Sequence, residues 1–86
     1  MELSNNQVVR LRNGKFGVVA SFNNKPFQLI FAAYTNPIKR YDENLKHKNH
    51  EYDIVEVFDG SSIGEVTDVF KNSFKADGLE SVWKEA

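Results

Sequence analysis

Short runs of alternating apolar and polar residues, broken by Asn, Gly and Pro, fill the N-terminal part of the chain, the pattern of strands joined by tight turns. Gln7 to Arg12 alternates, with Val9 and Leu11 on one side and Val8, Arg10 and Arg12 on the other. Asn13-Gly14 follows, a pair suited to a two-residue type I′ turn in which both central residues take positive φ. Lys15 to Phe22 then returns as a second strand. This turn sets Arg12 opposite Lys15, Leu11 opposite Phe16, Arg10 opposite Gly17, Val9 opposite Val18 and Val8 opposite Val19. Asn23-Asn24-Lys25-Pro26 carries the next turn, and Phe27 to Ala33 forms a third strand with Ala20 opposite Leu29 and Val18 opposite Phe31. Val9, Leu11, Phe16, Val18, Ala20 and Phe22 share the core side of this meander. Val8, Val19 and Ile30 form an apolar ladder on the other side.

Tyr34 to Glu51 lacks a steady period and reads as a long loop, with a short extended piece near Tyr41 to Leu45. Tyr52 to Phe58 reads as a strand, closed by Asp59-Gly60. Ser62 and Glu65 have capping-box spacing, and Ile63, Val66, Val69, Phe70 and Phe74 recur on one helical face, which predicts a helix over 62–75. Leu79 to Glu85 fits either a helix face or a closing strand; a strand is preferred because it completes the sheet.

The chain has 86 residues, room for a single domain over 1–86, and is 41% hydrophobic and 27% charged, the balance of a globular protein. Absence of cysteine removes disulfides, zinc-thiolate sites and cysteine nucleophiles together. The first residues have neither a basic nor an apolar signal region, and the longest apolar run, Leu29 to Tyr34, is far too short to span a bilayer. A cytoplasmic protein without a membrane segment is expected.

The stretch Val8-Val9-Arg10-Leu11-Arg12-Asn13-Gly14-Lys15-Phe16-Gly17-Val18-Val19 resembles the opening hairpin of SH3-like and KOW-type small barrels. With Leu45-Lys46-His47-Lys48 leading into Tyr52-Asp53-Ile54-Val55-Glu56-Val57-Phe58, and the ending Leu79-Glu80-Ser81-Val82-Trp83-Lys84-Glu85, the whole chain resembles a family of short proteins of Gram-positive bacteria and their phages or prophages. The resemblance implies a mostly β fold, an SH3-like, partly open antiparallel barrel of about five strands with an amphipathic helix before the last strand. It implies no activity. KOW-type modules bind RNA or ribosomal partners, an analogy at the level of fold.

His47 and His50 form an H-x-x-H pair near Asp42, Glu43, Glu51 and Asp53. In a loop this spacing does not make ligands converge, so solvated histidines are expected and no metal or cofactor is assigned. No serine has a nucleophile-elbow context, no glycine motif cradles phosphate, and so small a chain leaves little room for a substrate pocket; no catalytic residue is named.

Charge is unevenly divided. Residues 1–50 hold eight basic and three acidic side chains; residues 51–86 hold three basic and nine acidic. Arg12 and Lys15 as cross-strand neighbours would repel, which an anionic partner could offset. The competing reading is that Glu65, Asp68, Asp77, Glu80 and Glu85 neutralise the basic half internally. The expected function is a non-enzymatic interaction module, an accessory protein of a phage or other mobile element that binds a protein partner through Val8, Val19 and Ile30. The alternative is a KOW-like RNA- or DNA-binding module using Arg10, Arg12, Lys15, Lys39, Arg40 and Tyr41. The sequence names neither the partner nor the oligomeric state.

Overall fold

The structure is a computed structural model that describes residues 2–20, 29–31, 35–61, 63, 68–69 and 74–85. Its centre is one six-stranded antiparallel sheet: β1 (Val8–Leu11), β2 (Phe16–Ala20), β3 (Leu29–Phe31), β4 (Thr35–Pro37), β5 (Ile54–Phe58) and β6 (Ser81–Lys84). The strands lie in the order β4-β3-β2-β1-β5-β6.

The first hairpin corrects the expected register. Val8 pairs with Val18, Val9 with Gly17 and Arg10 with Phe16, one residue away from the pairing that a type I′ turn would set. The Leu11 amide donates to the Lys15 carbonyl at 2.8 Å and the Gly14 amide to the Leu11 carbonyl at 2.9 Å. Arg12-Asn13-Gly14 is therefore a three-residue loop in which Gly14, at φ +87°, takes the left-handed position while Asn13 does not. Contacts outside the hairpin favour the longer loop. The amides of Arg12 and Asn13 donate to the carbonyls of Asp53 and Glu51 at 2.8 and 3.1 Å, which carries hydrogen bonding beyond β1 toward the approach to β5.

A slip of one residue sends side chains to the opposite face. Val9, Leu11 and Val19 pack with Leu3, Tyr41, Leu45, Ile54 and Val57, joined by Ile38 and Trp83. Val8 and Val18 pack on the other side with Phe58 and Val69, joined by Phe16, Ile63, Phe74, Ala76 and Leu79. Phe16 meets Phe74 edge-on at 4.9 Å. Phe16 and Val18 therefore do not share a face with Val9 and Leu11. Both sides of β1 and β5 are covered, which is why these strands are nearly continuous apolar runs.

The β2–β3 register agrees with the reading of the sequence: Val18 pairs with Phe31, Val19 with Ile30 and Ala20 with Leu29. The preferred closing strand is present as β6, paired to β5. The expected loop over 34–51 contains more order than its pattern shows. Thr35–Pro37 is strand β4 against β3, a place that tolerates proline because it lies at the end of the strand order. A 3-10 turn over Ile38–Arg40, an isolated bridge between Tyr41 and His47, and a second 3-10 turn over His50–Tyr52 follow. Of the expected extended piece over 41–45, only Tyr41 pairs.

Among the described residues there is no α-helix. Of the expected helix over 62–75, Asp68 and Val69 lie in a 3-10 turn, and Ile63, Phe74 and Lys75 are irregular. Residues 62, 64–67 and 70–73 lie outside the described residues, as do the turn over 23–26, Phe22 and Phe27.

Candidate functional site

The segment between β4 and β5 is braced by its own side chains. Asp42 Oδ1 accepts from the amides of Asn44 and Lys46 at 2.8 and 3.0 Å, and its main-chain amide donates to the Lys46 carbonyl. This tight turn places Leu45 at φ +60°, a conformation that a branched side chain adopts at a cost, while burying that side chain in the first core. Asn49 then caps the second 3-10 turn by accepting from Glu51.

Asp53 is the anchor of this segment. It is 1% exposed. Oδ1 accepts from the His47 amide at 2.7 Å, and Oδ2 meets the Arg12 guanidinium and the His50 ring, each at 3.3 Å. Burial alone would raise its pKa, but hydrogen bonds from the His47 amide, His50 and Arg12 together hold it below the usual carboxylate range. Arg12 also donates to Glu85 at 2.6 Å, which draws the Glu85 pKa down and the Arg12 pKa up. Lys46 stands 3.5 Å from the same carboxylate.

Tyr41, His47 and Tyr52 form an aromatic group beside this anchor. The His47 ring meets Tyr41 at 5.2 Å and Tyr52 at 5.4 Å, both edge to face. The Tyr41 hydroxyl donates to the Tyr52 carbonyl at 2.9 Å. Burial, with a smaller contribution from Asp53, pushes the Tyr41 pKa up to about 12. His47 Nδ1 accepts from the Asn49 amide at 2.9 Å, whereas Nε2 is buried and has no hydrogen-bond partner among the described residues.

Outside this group the surface opens into a groove of about 840 Å³ lined by Arg40, His47, Lys48, Asn49, His50 and Glu51. A smaller hollow of about 380 Å³ shares Arg40, His47, Lys48 and His50 and adds Lys39 and Lys46 among its walls. Arg40, Lys48 and His50 are exposed. Among the described residues, no three His, Asp or Glu side chains are grouped to hold a metal ion.

The residues singled out from sequence are mostly elsewhere. Val8 and Val19 are both 0% exposed and lie in different cores, so they form neither one ladder nor a surface strip. Ile30 pairs in β3, and its side chain lies outside the described residues. Arg10 is paired to Glu56 at 3.1 Å and Arg12 to Glu85 and Asp53, so the carboxylates nearest the basic half neutralise part of it. Glu85 was among the acids expected to do this; Glu65 lies outside the described residues. The three-residue loop turns Arg12 out of the ladder and sets Leu11 against Lys15, so Arg12 and Lys15 are not the cross-strand pair that was expected. Tyr41 is buried and offers no face for stacking. Lys39, Arg40 and Lys15 remain at the surface. His47 is a buried histidine, contrary to the expected solvated pair, while His50 is exposed.

Asp53 and Lys48 were not assigned roles by sequence reasoning. The available signal was a lone acid directly before an apolar strand, a position where burial demands hydrogen bonds. No family model, curated protein or solved structure matches the chain.

Proposed function

We propose that the chain is a non-enzymatic interaction module that binds a protein partner through the groove of residues 40–51. The carrying observation is an open groove whose floor is fixed by Asp53 and whose wall presents Arg40, Lys48 and His50. A fixed floor limits the ordering cost of binding, and exposed polar side chains at the edge supply specificity. Nucleic acid is the weaker reading. Arg10 and Arg12 are held by carboxylates and Tyr41 is buried, which removes three of the six residues expected to contact a nucleic acid. The finer expectations belong to the same proposal: an SH3-like, partly open barrel with an amphipathic helix before β6, and a cytoplasmic accessory role in a phage or mobile element.

The test is capture from a Gram-positive lysate by the full chain and by an Arg40→Glu/Lys48→Glu variant, each with and without nuclease. A protein retained after nuclease and lost with the variant supports the proposal. Capture abolished by nuclease, or unchanged by the variant, overturns it.

A further inference from the structure

His47 carries a buried donor that the described residues leave unused. Nδ1 accepts from the Asn49 amide at 2.9 Å, so the proton of the neutral ring is on Nε2. Nε2 is buried, and among the described residues no acceptor reaches it. The edges and faces of Tyr41 and Tyr52 pack the ring but provide no lone pair from oxygen or nitrogen. A buried N–H without an acceptor is a standing cost, and few native polar groups carry one. The residue that carries it lies in the wall of the groove, next to two exposed cations, Arg40 and Lys48.

We infer that this corner of the groove takes a carboxylate side chain from an acidic segment of the protein partner, with His47 Nε2 as donor and Arg40 and Lys48 as counter-charges. The inference rests on the binding-module reading above and names the chemistry that the groove selects. An acceptor oxygen satisfies Nε2, and its negative charge meets the two cations; charge-assisted bonds of this kind are the stronger class. Nε2 is sealed in the free chain, so the incoming group displaces an exposed side chain of the wall. Glu51 stands in the same wall. It disfavours a continuous polyanion passing through the groove more than a single carboxylate entering beside Arg40.

The experiment follows the His47 imidazole nitrogens by NMR in the unaltered full chain. The probe is a blocked Gly-Ser-Glu-Ser-Gly peptide carrying one side-chain carboxylate, and a second arm uses inorganic phosphate at matched ionic strength. The expected result is a shift of the Nε2 resonance that tracks peptide occupancy, with little response to phosphate. A His47→Phe variant, which keeps a ring in the aromatic group, weakens peptide binding about tenfold or more, and Arg40→Gln weakens it as well. Because the nitrogen signal is read in the unaltered chain, the test stands even where His47→Phe does not fold. Peptide binding with Nε2 unmoved overturns the anchor and leaves the module reading standing. A response to phosphate alone overturns the carboxylate assignment. Failure of the peptide to bind overturns the inference, and the lysate capture described above then separately decides the module reading.

Discussion

The His47 amide and the Asp53 carboxylate are joined by a 2.7 Å hydrogen bond that ties the far end of the Tyr41–His47 turn to the residue preceding β5. Arg12 and His50 converge on the same buried side chain. Removing the carboxylate leaves the buried His47 amide without its acceptor and deprives Arg12 of one of its two carboxylates. Asp53→Ala is expected to lower stability by about 1–3 kcal/mol, the scale of leaving a buried donor unsatisfied. Asp53→Asn keeps one acceptor oxygen and should lose less. Urea melts of the two variants test the order.

Acid should act through the same group. The folded-state pKa of Asp53 is lowered, so its contribution is complete above the unfolded value, about 3.9 for an ordinary aspartate, and is lost as pH falls through the folded value. Glu56 shifts in the same direction, mainly through a hydrogen bond from Ser81 and then one from Arg10. Stability is therefore expected to be flat near neutrality and to fall below about pH 4. Asp53→Asn should flatten that decline. Thermal melts from pH 7 down to pH 2 would read it.

The alkaline limb has the opposite sign. Tyr41 titrates at about 12 in the folded chain, above its ordinary value of 10.0, so the unfolded chain loses this proton first. Its stabilising contribution is complete below pH 10 and disappears as pH rises through 12. Tyr41→Phe removes that dependence and the bond to the Tyr52 carbonyl, costing about 1 kcal/mol at neutral pH. An alkaline transition with the same midpoint and steepness in the variant would contradict the assignment.

Three glycines should respond differently to alanine. A Cβ on Gly60 would overlap the Asn6 carbonyl oxygen, and Asn6 is fixed by its amide bond to Val19 at 2.7 Å. Gly60→Ala should cost about 1–3 kcal/mol, the usual range for forced overpacking. Gly14→Ala has open space but a φ of +87°, so it should cost about 1–2 kcal/mol through backbone strain. Gly78→Ala meets nothing within 4 Å and needs no unusual φ, so a change within about 0.5 kcal/mol is expected. Melting temperatures of the three variants should rank in that order.

The parts legible in the sequence were those settled by neighbours along the chain. Ala20 against Leu29 and Val18 against Phe31 follow from matching apolar parity on either side of one turn. Asn13-Gly14 marked a hairpin correctly but suits loops of two or three residues. The choice between them rests on Arg12 and Asn13 reaching Asp53 and Glu51, partners far along the chain. β4 was illegible because Thr35-Asn36-Pro37 has no apolar alternation and is held by main-chain pairing to β3. At the site, the histidine spacing was visible, yet nothing in it distinguishes buried His47 from exposed His50. The difference comes from Tyr41, brought beside His47 by a turn that Asp42 closes.

The arrangement of two cores on one sheet also orders events during synthesis. A chain released through Phe58 contains five of the six strands and most of the first core, including Leu3, Val9, Tyr41 and Ile54. The cover of the opposite face, Ile63, Val69, Phe74 and Leu79, comes from later in the chain. Until those residues leave the ribosome, Val8, Val18 and Phe58 stay uncovered. In that interval a nascent sheet presents an apolar flank that the finished molecule conceals, the stage at which a chaperone or a neighbouring nascent copy meets it.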